Sequence, residues 1–231
     1  MTAITNNSST PLVGVLALQG DFAHHQEALH ACGLRTRQVR TAGQLKDIDA
    51  LVLPGGESTT MLKLLHVEGL WGPLGEALQR GMPVMATCAG LILLAEHVEN
   101  PAQKSYGVLP LTVVRNGYGR QFHSGTFELE CEPLVGELPG DLLPVGTTGT
   151  FIRAPRITAI DGDVEVLARR GGDPVLVRKG QVIAACFHPE LTVGHPVTVM
   201  FANMVRAAAA SVQGAPSIRA APGAAATGAA S

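Results

Sequence analysis

One segment of the chain puts a sulfur where covalent chemistry could occur. In PVMATCAGLILLA, residues 83–95, a strand of small and apolar side chains runs into Cys88, and an apolar helix starts at once. A nucleophile on so sharp a strand-to-helix turn is exposed at the C-terminal edge of a sheet, where open α/β folds hold their ligands. It also sits at a helix N-terminus, whose partial positive charge favours thiolate over thiol. The backbone N–H of Ala89 would then point to where a substrate oxyanion forms. The small neighbours Ala86 and Gly90 let the turn close tightly. Most free cysteines are inert core residues, so Cys88 alone decides nothing.

A thiol with a pKa of about 8.5 is mostly protonated at neutral pH. It needs a base, and the base needs a group to orient it. VIAACFHPELT, residues 182–192, offers both, because His188 and Glu190 directly follow an apolar strand. Residues two apart in extended chain project to the same side, so Glu190 is expected to hold the imidazole while His188 faces Cys88. Read otherwise, His188 is a surface-loop histidine, or the pair are metal ligands. No third ligand stands out, and neither a metal nor an organic cofactor is expected. Cys186 lies inside the apolar strand and reads as core.

The third segment is LPGGEST, Leu53–Thr59. Pro54, Gly55 and Gly56 follow a strand, and Ser58 or Thr59 can cap the next helix. A glycine turn brings backbone N–H groups close to a ligand, and that of Gly56 is a natural second oxyanion donor. It is no phosphate loop, since neither G-x-x-x-x-G-K-[ST] nor G-x-G-x-x-G is present.

The elements that must position these residues read as strands alternating with helices. LVGVLAL (Leu12–Leu18) is a near-continuous apolar run, as in a strand covered on both faces. A helix, AHHQEALHAC, follows and stops at Gly33. Strands are expected near Leu34–Arg40, at ALVLP and at Pro83–Thr87, with helices near Ser58–Val67, Leu70–Arg80 and Ala89–Val98. From about Tyr106 to Phe187 the pattern turns to shorter strands, and a helix near Pro196–Ala208 closes the domain. The expectation is one α/β domain with a mixed sheet over residues 11–207. Residues 1–10 and the Ala/Gly/Pro-rich stretch 208–231 read as disordered ends.

Composition narrows the function classes. The 231 residues are 46% apolar and 16% charged, which suits a globular chain. With a net charge of −2, no basic stripe and only 4% aromatics, nucleic-acid binding is not expected. Cys32, Cys88, Cys131 and Cys186 form no C-x-x-C pair and read as reduced thiols of a cytoplasmic protein. Neither a signal peptide nor a membrane-spanning run is visible.

Taken together, these segments resemble the class I (triad-type) glutamine amidotransferase family. The similarity runs from GVLALQGDFAHH (Gly14–His25) through LPGGEST, TCAGLILLA (Thr87–Ala95), RNGYGRQ (Arg115–Gln121) and FIRAP (Phe151–Pro155) to FHPELT (Phe187–Thr192). ALQGD, LPGGEST, RNGYGRQ and FIRAP are specific for the vitamin B6 branch, the glutaminases of the two-component pyridoxal 5'-phosphate synthase. The resemblance implies a three-layer, flavodoxin-like fold with a mixed central sheet. It implies that Cys88 attacks L-glutamine, that His188 is its base and acid, and that Glu190 orients His188. Gly56 and Ala89 would donate to the oxyanion. Gly56, Glu57, Ser58, Arg115, Ile152 and Arg153 would cradle substrate, with the Arg that grips its α-carboxylate left open. The implied partner is a β/α-barrel synthase subunit in a large hetero-oligomer, with ALQGD and nearby helix faces as docking elements. A glutaminase serving another synthase, or a non-catalytic partner-binding domain of the same fold, are the alternatives. Two positions depart from the family pattern. Ala86 replaces the usual elbow glycine and fits only if its φ is negative, and Gly117 replaces a small residue.

Overall fold

The apolar strand pattern resolves into an eight-stranded sheet whose parallel half carries every segment singled out above. The computed structural model describes residues 10–118, 124–132 and 143–213. In chain order the elements begin with β1 (Leu12–Leu16), α1 (Phe22–Ala31), β2 (Arg35–Val39), β3 (Ala50–Leu53), α2 (Ser58–Val67) and α3 (Trp71–Gln79). They continue with β4 (Val84–Thr87), α4 (Ala89–Leu94), β5 (Ala95–Glu99), β6 (Leu109–Val114), β7 (Gly125–Glu128), β8 (Glu130–Cys131) and β9 (Thr148–Phe151). Last come β10 (Arg156–Ile160), β11 (Glu165–Arg170), β12 (Asp173–Lys179), β13 (Val182–Ala185) and α5 (Pro196–Gln213).

The main sheet has the order β2-β1-β3-β4-β13-β12-β11-β8. Its first five strands are parallel, and β12, β11 and β8 are antiparallel additions. All residues of β3 and β4 are buried, because helices cover both faces of the parallel strands. From β1 the chain crosses to β2 on one side, and from β3 to β4 on the other. Right-handed crossovers therefore put α1 on one face and α2 with α3 on the opposite face. On the first face α5 packs against α1. Outside the main sheet lie a three-stranded sheet, β10-β6-β5, and a ribbon of β7 with β9. No helix among the described residues is long and apolar enough to cross a membrane.

Three sequence expectations need correction. The helix expected over Ala89–Val98 stops at Leu94, and Ala95–Glu99 is strand β5. Its local propensity for helix loses to pairing with β6, which buries Val98 opposite Val113. Strand β10 has no counterpart among the expected strands, and it closes the same small sheet. The last helix runs on to Gln213, so residues 208–213, expected in a disordered tail, are helical. Alanine has the best helix propensity, and here it extends a helix already anchored by Met200, Phe201 and Val205. The expectations for residues 1–9 and 214–231, and for Gly119–Gln121 of the RNGYGRQ segment, lie outside the described residues.

Candidate active site

Four adjacent parallel strands, β1, β3, β4 and β13, end on the same edge of the sheet, and a residue of one cleft follows each of them. These residues are Gln19 after β1, Gly56 after β3, Cys88 after β4 and His188 after β13. The reversal of strand order at β1 opens the crevice in which doubly wound sheets bind ligands. The cleft has a volume of about 230 Å³, roughly the liquid share of eight waters, which suits a small amino acid. Glu57, Ser58, Ile92, Arg115, Asn116, Ile152 and Arg153 complete its lining.

The elbow at Cys88 is strained. Its backbone has φ 47° and ψ −100°, a conformation costing an L-residue about 1–3 kcal/mol. The flanking structure enforces it. The Cys88 N–H donates to the Ala185 carbonyl of β13 at 2.8 Å, and α4 begins at the next residue. Gly90 lies so close to β3 that a Cβ there would collide with the Leu53 carbonyl oxygen and stand 2.8 Å from its carbon. Ala86 sits inside strand β4, where φ is negative, so its methyl is accommodated without strain. Asn116 (φ 49°) and Arg153 (φ 44°) are also left-handed and also line the cleft. Of the five non-glycine residues with positive φ among the described residues, these three line the cleft, and Asp47 and Asn100 lie outside it.

His188 and Glu190 do pair, but not through the extended chain expected from their spacing. Pro189–Leu191 form a turn of 3-10 helix, with Pro189 at its first position. That turn swings Glu190 back under the ring, and His188 Nδ1 meets Glu190 Oε1 at 2.8 Å. The Cys88 side chain lies beside this imidazole, since both line the cleft and Gly55 packs against the two of them. With Nδ1 taken by Glu190, Nε2 is the nitrogen left to exchange a proton with the sulfur. Burial disfavours the imidazolium, but its interactions with Cys88 and Glu190 outweigh it and raise the His188 pKa to about 10. Burial likewise disfavours the Glu190 carboxylate, while the imidazoles of His25 and His188 hold its pKa down to about 2. A thiol, an imidazole and a buried carboxylate in series can generate a sulfur nucleophile and return the proton to a leaving group.

The pKa shifts predict how stability follows pH. Glu190 is depressed from 4.5, so its contribution is complete above that value and is lost as pH falls toward about 2. His188 is raised from 6.5, so its contribution is complete below that value and is lost as pH rises toward about 10. Thermal melts of wild type and Glu190→Gln across pH should show a Tm gap that is widest near pH 5–6.5 and shrinks toward pH 2. A gap that does not vary with pH would contradict the assigned ion pair.

The glycine turn is braced by the loop after β1. Gln19 Oε1 accepts from the Glu57 N–H at 2.9 Å, and the Asp21 N–H reaches the Gly55 carbonyl. Gly55 packs against both His188 and Cys88, so a Cβ there would stand 2.9 Å from His188 Nδ1 and 3.4 Å from Cys88 Cβ. Glu57, rather than Ser58 or Thr59, caps α2, accepting from Thr59 N at 3.1 Å and Thr60 N at 2.7 Å. Its Oε1 also meets Arg115 Nη2 at 2.8 Å. Ser58 is buried and donates to Gln103 Oε1 at 2.8 Å, which holds a loop beside the cleft. Among the described residues no group of three or more His, Cys, Asp or Glu is arranged to hold a metal ion. Cys186 has no solvent exposure and burial pushes its thiol pKa up, so it belongs to the core.

Residues 15–207 match the SNO glutamine amidotransferase family. The chain belongs to that family. Among its relatives, a pyridoxal 5'-phosphate synthase subunit PdxT of Koribacter versatilis (strain Ellin345) is 48% identical over 197 residues, 84% of this chain and 95% of that one. A subunit of the same name from Streptomyces avermitilis is 44% identical over 201 residues, 86% and 96% of the two chains. A crystal structure described as a glutamine amidotransferase superposes with a TM-score of 0.74 at 42% identity, covering 84% of this chain and 98% of the other. The structure of PurLQS from Thermotoga maritima shares the fold, with a TM-score of 0.60 at 19% identity over 89% and 100% of the chains.

Within this SNO family member several residues in and behind the cleft escape a reading of the sequence alone. Gln19 stands there only as part of a docking loop, yet its carboxamide braces the glycine turn. Its place directly after a strand ending at the ligand edge is the available signal. Asn116 and Ile92 sit inside the quoted motifs without standing out from them. His25 reads as plain helix, although its spacing to Ala28 and Leu29 marks the inner face of α1.

Proposed function

We propose that this chain hydrolyses L-glutamine to L-glutamate and ammonia, and passes the ammonia to a synthase subunit that makes pyridoxal 5'-phosphate. The observation that carries the reading is the series Cys88–His188–Glu190, set on a strained elbow at the head of a cleft sized for an amino acid. The Cys88 sulfur attacks the carboxamide carbon after His188 takes its proton. The oxyanion is received by the backbone N–H groups of Gly56 and Ala89. His188 then protonates the amide nitrogen, the C–N bond breaks and ammonia leaves a glutamyl thioester. Water, deprotonated by the same imidazole, releases glutamate and restores the thiol. Glu190 fixes the ring and offsets its charge.

The rest of the cleft suits an amino acid's charged end. Arg115 commits Nη2 to Glu57, and a guanidinium has five donors in all, so the fork can also grip an α-carboxylate. Arg153 and Ile152 lie on the same cleft wall region with exposed faces. Glu57, held by the α2 cap and by Arg115, acts on substrate chiefly by orienting Arg115. Glu57→Ala should lower Tm by roughly 2–4 °C, as expected for a lost cap of about 1 kcal/mol. It should also raise KM for glutamine several-fold with kcat little changed. An unaltered KM would remove Glu57 and its Arg115 pair from substrate binding.

The names of the PdxT relatives support the synthase partner, for which the family resemblance suggests a β/α-barrel within a hetero-oligomer. Supplying the gene to a pyridoxine auxotroph that lacks its own glutaminase subunit tests the pathway. Growth without pyridoxine supports it. Absence of growth, with ammonia release intact in vitro, would assign the glutaminase to another synthase.

A further inference from the structure

We propose that His25 is a positioning residue for the proposed hydrolysis, a fourth member in series that holds Glu190 at the same carboxylate oxygen as His188. The inference rests on the Cys88–His188–Glu190 reading and adds a residue from a different element to it. His25 lies on the inner face of α1 and has no solvent exposure. Its Nε2 stands 3.3 Å from Glu190 Oε1, the oxygen that also meets His188 Nδ1 at 2.8 Å. The same Nε2 is 3.1 Å from Thr87 Oγ1, the residue directly before Cys88. One ring thus touches both the carboxylate and the elbow.

The chemistry fixes the direction of these contacts. Glu190 is an acceptor, so the hydrogen must sit on His25 Nε2, since the other tautomer would set two lone pairs against each other. Nδ1 has no hydrogen-bond partner among the described residues, and a bare lone pair there costs less than a buried N–H would. Glu190 Oε2 is buried and likewise without a partner among them, so Oε1 carries all the hydrogen bonding of this carboxylate. If His25 stops donating, a buried carboxylate keeps His188 as its sole donor. The carboxylate can then rotate about its side chain, and the ring that it orients rotates with it. The titratable groups whose charge acts on Glu190 are His25 and His24 from α1, His188 from its own turn, and His195 before α5. Of these, His25 and His188 are the two that reach its oxygens. A buried histidine facing a carboxylate needs no such arrangement for packing alone, because an apolar residue would fill the space without desolvating two polar groups.

The test uses the complex with the synthase subunit and three variants, read by steady-state ammonia release. In His25→Gln the side-chain amide can reach the position of Nε2 and still donate to Glu190. His25→Leu keeps the volume and loses the donor. His25→Asn is one methylene shorter than Gln and cannot reach. Loss of the donor should lower kcat roughly 10- to 100-fold, the usual effect of removing an orienting outer partner, with KM for glutamine within about two-fold. His25→Gln should retain activity within a few-fold of wild type. If His25→Leu fails to fold, the contrast between Gln and Asn decides the matter in its place. The inference is overturned if the Leu or Asn variant keeps wild-type kcat, or if Gln falls as far as they do. A wild-type complex that releases no ammonia would instead overturn the glutaminase reading itself.

Discussion

Cys88→Ala and Cys88→Gly should both abolish glutamine hydrolysis, yet the glycine variant should be the more stable of the two. The first half follows from the chemistry, because neither side chain can form a thioester, and removal of a covalent nucleophile typically costs several orders of magnitude in kcat. The second half follows from the backbone. Alanine inherits the φ of 47° with its Cβ, whereas glycine adopts that region without penalty. The relief is about 1–3 kcal/mol, which corresponds to a Tm difference of a few degrees in a chain of this size. Cys88 is the N-cap of α4, where glycine is also preferred over alanine, so both effects favour the glycine variant and the φ of 47° sets the size of the gap. Equal melting temperatures would mean that the elbow is not strained. The fold would then lose its reason for holding a cysteine in that conformation.

Gly90→Ala should cost far more stability than a methyl usually does. The new Cβ would meet backbone, with the Leu53 carbonyl carbon at 2.8 Å and its oxygen nearer still. Backbone cannot swing aside as a flexible side chain can, so α4 must lift from β3. Expected destabilisation is about 3 kcal/mol or more, at the upper end for overpacking. Activity should fall too, since α4 carries the Ala89 N–H and β3 leads into the Gly55–Gly56 turn. Urea unfolding of the variant gives the first quantity directly. A loss below about 1 kcal/mol would show that the helix has room to move, and that the close approach of strand and helix does not set the elbow.

Much of this is legible in the residues without any coordinates. Cys88 between a buried strand and an apolar helix, and His188 with Glu190 after the last parallel strand, point to the correct edge of one sheet. The alternation of apolar strands with helices implies the mixed sheet. What stays hidden depends on contacts between segments far apart in the chain. Ala95–Glu99 has a helical composition, and only β6 makes it a strand. The Pro189 turn brings Glu190 to His188 by a route that residue spacing does not suggest. Glu57 as both cap and partner of Arg115, 58 positions away, cannot be read from LPGGEST. His25 is separated from Glu190 by most of the chain, so its face can be inferred but its partner cannot.

Ammonia release from L-glutamine by the purified chain, alone and with the pyridoxal 5'-phosphate synthase subunit added, is the decisive measurement for the proposed glutaminase. Release should rise strongly when the partner is added and disappear in Cys88→Ala. Release that persists undiminished in Cys88→Ala, or none from the wild-type complex, would contradict the proposed glutaminase activity.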